Sequence, residues 1–159
     1  MLSIRSATMK DAALLWTLIR ELAEYEHELG MVVITEADLV RDGFGPQPKF
    51  RALIAEWDGQ PAGYALFFEF YSTWRGPQMF LEDLFVRDAF RGRKIGKALL
   101  AAVAQVARQD SCHGLRWEVL SWNHSAVRFY QSLGAEFLDD WRLVFLGDEP
   151  LRRLAEGAP

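Results

Sequence analysis

Phe80-Leu81-Glu82-Asp83-Leu84-Phe85-Val86-Arg87-Asp88-Ala89-Phe90-Arg91-Gly92-Arg93-Lys94-Ile95-Gly96-Lys97 reads as an apolar strand interrupted by two carboxylates, then a basic glycine turn, then the opening of a helix. Backbone N–H groups at a helix start, reinforced by Arg91, Arg93, Lys94 and Lys97, suit a phosphate or pyrophosphate. Neighbours on a strand point to opposite sides, so only one of Glu82 and Asp83 is expected to face a given cleft. Beside an anion cradle, such a carboxylate can accept a proton directly or through water. The alternative for this stretch is structural: a carboxylate fixed by a basic partner, and a solvated basic loop. The turn lacks both Gly-x-x-x-x-Gly-Lys-Ser/Thr and Gly-x-Gly-x-x-Gly, which disfavours a nucleoside triphosphatase and a dehydrogenase.

On the N-terminal side, Ser3 to Ser6 is a short strand, and Thr8 with Asp11 forms a capping-box pattern. Leu14, Leu15, Leu18, Ile19 and Leu22 then recur at helical spacing. Thr35 with Asp38 repeats the cap before a shorter helix that ends in the run Asp42-Gly43-Phe44-Gly45-Pro46. Phe50 to Trp57 and Ala62 to Tyr71 are strands flanking Asp58-Gly59, a hairpin turn, with Pro61 just outside the second strand. Met79 to Val86 is the next strand. On the C-terminal side, Ile95 to Arg108 carries Leu99, Leu100, Val103 and Val106 on one stripe, and Leu115 to Leu120 is a strand. Ser125 to Leu133 is a helix capped by Asn123 or Ser125 and closed by Gly134. The tail adds one or two strands around Glu136 to Leu138 and Trp141 to Leu146. Hairpins together with crossover helices make an α/β domain with a mixed sheet.

The chain has 159 residues, half of them apolar, which is enough for one domain spanning residues 1–159 with its own core. It shows no repeat, low-complexity tract or linker. Its single cysteine, Cys112, cannot close an intramolecular disulfide and fits a reducing, cytoplasmic setting. No apolar run is long enough to cross a bilayer, and no signal-peptide pattern opens the chain. A net charge of −4 argues against general nucleic-acid binding and favours a small cationic ligand. His27, His113 and His124 have no metal-ligand spacing, so no metal is expected.

A second informative stretch is Ser121-Trp122-Asn123-His124-Ser125-Ala126-Val127-Arg128-Phe129-Tyr130-Gln131-Ser132-Leu133-Gly134-Ala135. Tyr130 reads as an amphipathic residue at the rim of the core, or as a phenol able to protonate a leaving thiolate. Taken with Phe80 to Lys97, this stretch resembles the GNAT superfamily of acyl-CoA-dependent N-acetyltransferases. Glu21-Leu22-Ala23-Glu24-Tyr25-Glu26, Thr35-Glu36-Ala37-Asp38-Leu39, Asp42-Gly43-Phe44-Gly45, Tyr71 with Trp74, and Trp141-Arg142-Leu143 extend the likeness to its spermidine/spermine and thialysine N-acetyltransferase group.

The resemblance implies a GNAT fold: a mixed, mostly antiparallel sheet of six to seven strands with about four helices, and a splayed parallel strand pair that binds acetyl-CoA. It implies that the backbone of Leu84, Phe85 and Val86 holds the pantetheine and acetyl carbonyl. Arg91, Gly92, Arg93, Lys94, Ile95 and Gly96 would hold the pyrophosphate, with Asn123 and Tyr130 also on the cofactor side. Glu82 matches the general base, acting through water, and Tyr130 the general acid. Glu26, Tyr71, Trp74 and Glu82 are the candidate acceptor contacts, acidic and aromatic groups that suit a cationic amine.

The implied reaction is acetyl transfer to a primary amine of a polyamine, diamine, thialysine or similar molecule, in a homodimer that exchanges or packs its C-terminal strand. A non-catalytic CoA-binding sensor and a protein-lysine acetyltransferase are the alternatives. Five positions depart from the pattern. Lys94 stands at a glycine position, where a helical backbone would tolerate a side chain. Gln131, Ser132 and Leu133 replace basic residues, and Ser72 replaces an acidic residue of the polyamine site.

Overall fold

The computed structural model describes residues 1–157, so the last two residues of the expected 1–159 domain lie outside them. The chain forms two compact units, Met1–Glu118 and a second that begins at Val119.

The first unit is built on a five-stranded sheet in the order β1-β2-β3-β4-β5, comprising β1 (Leu2–Ser6), β2 (Arg51–Trp57), β3 (Gln60–Ser72), β4 (Gly76–Val86) and β5 (Leu115–Trp117). The first three pairings are antiparallel, and β4 with β5 is parallel. Asp58 and Gly59 both take positive φ, 51° and 77°, which matches the right-handed strand twist at the β2–β3 hairpin. Pro61 lies inside β3 rather than before it. The register shift between Ala55 and Glu56 leaves Ala62 unmatched, a bulge of the kind that lets a sheet accommodate proline.

Both capping boxes form. The Thr8 N–H and hydroxyl bond Asp11 ahead of α1 (Ala12–Tyr25), after one 3-10 turn at Met9–Asp11, and Asp38 returns to Thr35 ahead of α2 (Glu36–Phe44). Leu15 and Leu18 of α1 and Leu39 of α2 pack with Ala52, Ile54, Tyr64, Leu66 and Phe85 of the sheet as the main core. The helix α3 (Ile95–Gln109) buries Ile95, Leu99, Leu100, Val103 and Ala107, a stripe at helical spacing, against the sheet. Strands such as β2, whose Ala52, Leu53, Ile54 and Ala55 are all buried, are therefore covered on both faces.

The second unit holds α4 (His124–Ser132) and α5 (Asp148–Ala155). Asn123, rather than Ser125, caps α4, its Oδ1 accepting the Ala126 N–H at 3.2 Å. Several expectations are corrected here. The sheet has five strands among the described residues rather than six or seven, β5 stops at Trp117 rather than Leu120, and five α-helices replace about four. Residues 136–146 form no strand, and α5 was not expected.

Candidate active site

The β3–β4 ladder runs regularly until Leu66 pairs with Asp83 and the next residue, Phe67, pairs with Leu81. Glu82 is thus an extra residue on β4, a β-bulge, and it breaks the strand's alternation. Both carboxylates consequently line one cleft, of about 460 Å³, against the expectation that only one would. Leu39 of α2, Leu66 of β3 and the connection Met31 to Ile34 supply much of its apolar wall. The Trp16 indole N–H, donating to the Ile34 carbonyl at 3.1 Å, ties that connection to α1.

The two carboxylates sit in different surroundings. Asp83 is half-buried and accepts a 2.8 Å hydrogen bond from the hydroxyl of Tyr64, which is fully buried. Burial raises the Asp83 carboxyl to about 6, opposed by that hydrogen bond and assisted by the charges of Glu82 and Glu26. Glu82 is exposed, yet the protein packed around it, with Glu118 adding, moves its carboxyl above the usual range. Glu26, just past the end of α1, is also raised, first by burial and then by Glu28. Tyr64 itself is pushed well up, by burial first and then by Asp83. None of Glu26, Glu82 and Asp83 has a lysine or arginine ion-pair partner among the described residues. Such a cluster can receive an ammonium group and hold the proton that it sheds.

Past the bulge, β4 continues to Val86 while its ladder with β5 ends at Leu81 and Trp117, so the parallel pair is joined over only three residue pairs. Leu84, Phe85 and Val86 stay paired with Ala65, Tyr64 and Gly63 on the β3 side. The chain then turns through Arg91 to Lys94 into α3. Arg91 donates from Nε to the Val86 carbonyl at 3.1 Å, pairs with Asp88 at 2.9 Å and lies over the Tyr25 ring, joining the turn to the strand end. Arg93 lies over the Trp57 ring at 4.9 Å.

Gly92 has φ 78° and Lys94 φ 63°, so Lys94 is left-handed rather than helical as expected. The exposed turn, its cations and the first-turn N–H groups of Ile95, Gly96 and Lys97 fit a pyrophosphate, because those amides have no acceptor within the helix.

Tyr71 and Trp74 lie outside the cleft. Tyr71 pairs with Pro77, five residues along β4 from Glu82 or about 16 Å, and the two rings are 73% and 83% exposed. Asn123, the cap of α4, and Tyr130 within that helix belong to the second unit, where Tyr130 is buried and tilted against Phe129 at 5.3 Å. Neither Tyr64, which looks like any core aromatic of an apolar strand, nor the Met31 to Ile34 wall carries a signal in the sequence.

Residues 13–135 match the Acetyltransferase (GNAT) family. The chain is 40% identical over 163 residues to thialysine N-epsilon-acetyltransferase from Bos taurus, covering 96% of each. It is 35% identical to spermidine/spermine N(1)-acetyltransferase-like protein 1 from Homo sapiens, over 96% of this chain and 23% of that one. Its fold superimposes with a TM-score of 0.73, at 23% identity and over 93% and 95% of the two chains, on aminoglycoside N-acetyltransferase AAC(6')-Iy in complex with CoA.

Proposed function

The chain belongs to the acetyltransferase (GNAT) family and is an N-acetyltransferase, and we propose that it passes the acetyl group of acetyl-CoA directly to a primary amine of a small cationic acceptor. The bulge carries this reading, because it turns two carboxylates with raised proton affinity into one cleft beside the strand that leads to the anion-binding turn. Acetyl-CoA supplies an activated thioester. The Arg91 to Gly96 turn holds its pyrophosphate, with Asn123 as a further contact, and the backbone of Leu84 to Val86 holds the pantetheine and acetyl carbonyl. Backbone N–H groups there stabilise the charge that develops on the carbonyl oxygen.

Glu82 draws the proton from the ammonium through water. Tyr130 donates to the departing thiolate. Glu26 remains an acceptor contact in this proposal through its charge near Asp83, whereas Tyr71 and Trp74, which lie outside the cleft, are not assigned to the acceptor. The names of the two relatives, thialysine N-epsilon-acetyltransferase and spermidine/spermine N(1)-acetyltransferase-like protein 1, support an acceptor that is a small amine.

We read residues 1–159 as one acetyltransferase domain, since the family match runs across the boundary between the two units. We also read it as a cytoplasmic homodimer. Cys112 is a free, buried thiol, and the run Trp141, Leu143, Val144 and Phe145 is 64 to 88% exposed, an apolar strip suited to a second copy. Replacing Glu82 by Gln tests the catalytic assignment. Turnover should fall by about a hundredfold or more, with CoA affinity nearly unchanged. A chain that only bound CoA would be indifferent to the substitution.

A further inference from the structure

The cleft beside Glu82 contains four carboxylates, but they are not equivalent. Glu82 and Asp83 come from β4. Asp38 and Asp42 come from α2, and every oxygen of that second pair is already taken. Asp38 accepts from Arg41 Nη1 at 2.7 Å with one oxygen, and from the Thr35 N–H and hydroxyl at 2.9 and 2.8 Å with the other. Asp42 meets Lys49 Nζ at 3.0 Å and Arg41 Nε at 3.1 Å with one oxygen, and Arg41 Nη2 at 2.6 Å with the other. Lys49 also lines the cleft, so the α2 side presents no unmatched negative charge. The remaining wall is apolar: Ile19, Leu39, Phe50 and Leu66, closed by Met31 and Val33 of the α1–α2 connection. The two aromatic rings that would have met a distant cation, Tyr71 and Trp74, are not part of it.

Resting on the reading of this cleft as the acceptor site, we propose that the preferred acceptor is a primary amine whose one ammonium meets Glu82 and Asp83, and whose remainder is an apolar chain or ring with no net positive charge. Each methylene laid along the wall gains roughly fourfold in affinity. A second ammonium on the same chain would instead lie against aliphatic groups, with Lys49 nearby and no free carboxylate lining that wall, since Glu26 acts on Asp83 at the other end, and would lose water without compensation. Polyamines and short diamines are thus disfavoured relative to amines of equal length with one charge.

The test compares 1-aminohexane with 1,6-diaminohexane by acetyl-CoA-dependent thiol release, in the native protein and in Val33→Asp. Val33 is 85% exposed, so the substitution is compatible with folding, and it adds an unpaired carboxylate to the wall. The native protein should favour the monoamine in kcat/KM by at least tenfold, and Val33→Asp should narrow that ratio by fivefold or more. A native preference for the diamine, equal use of the two, or a ratio unmoved by Val33→Asp overturns the proposal. So does turnover of other amines with none of 1-aminohexane, which leaves the acetyltransfer reading standing. No thiol release with any primary amine overturns that reading itself.

Discussion

Burial raises the Asp83 carboxyl, the Tyr64 hydroxyl opposes the rise and the charges of Glu82 and Glu26 add to it, and the balance leaves it at about 6 against a usual 3.8. Between those values the folded chain binds more protons than the unfolded one, so this group's contribution makes stability fall as pH rises from about 4 to 6. At pH 7 the cost reaches about 3 kcal/mol at most. Asp83→Asn keeps an acceptor for the Tyr64 hydroxyl and removes the charge. Urea unfolding should therefore find the variant gaining stability over the native protein at pH 7, with the gain disappearing near pH 4. An equal difference at both pH values would show that burial of this charge is not what raises its proton affinity. Tyr64→Phe acts in the other direction on the same group. It deletes a hydrogen bond that favours the carboxylate, so the Asp83 carboxyl should rise further, measurable by NMR titration of its side chain. Nothing in the sequence around Tyr64 sets it apart from its apolar neighbours; its role depends on a cross-strand partner nineteen residues away.

Elements with local signals were legible. The two capping boxes, the Asp-Gly hairpin and the α3 stripe all act within a few residues, and each formed where the pattern put it. The bulge at Glu82 could not be read, because it exists only in the register between β3 and β4. The apolar run at Trp141 to Leu146 misled for a related reason: strand propensity is realised only where an edge is available to pair. The signals of α5 were present in Asp148, Glu149 and the later Arg152 and Arg153, but the apolar run before them drew the reading.

Two substitutions test the elements that position the site. At Gly63 an added Cβ would stand 2.2 Å from the Phe85 carbonyl oxygen, so Gly63→Ala should cost about 3 kcal/mol in chemical denaturation. Lys94→Gly should do the reverse. It relieves a left-handed backbone that costs a side-chain-bearing residue about 1–2 kcal/mol, partly offset by a looser unfolded chain, and should raise the melting temperature by a few degrees.

For the whole molecule, the exposed strip from Trp141 to Phe145 is the feature that a lone copy leaves uncovered. Sedimentation equilibrium at micromolar concentration should give a dimer, and Phe145→Asp should shift it toward monomer; a native monomer would remove the dimer from the account. The charge balance and the single thiol bounded the class of protein from the sequence, whereas the acceptor depends on which carboxylates are already paired, a property of the fold. The claim on which the rest stands is acetyl transfer to an amine. Its most direct test is the release of CoA thiol from acetyl-CoA as primary amines are added, with the amine product identified by mass spectrometry. The account predicts saturable, amine-dependent release with one acetyl group gained by the amine. Release that ignores added amine, or none across a broad panel of amines, amino acids and aminoglycosides, would contradict it.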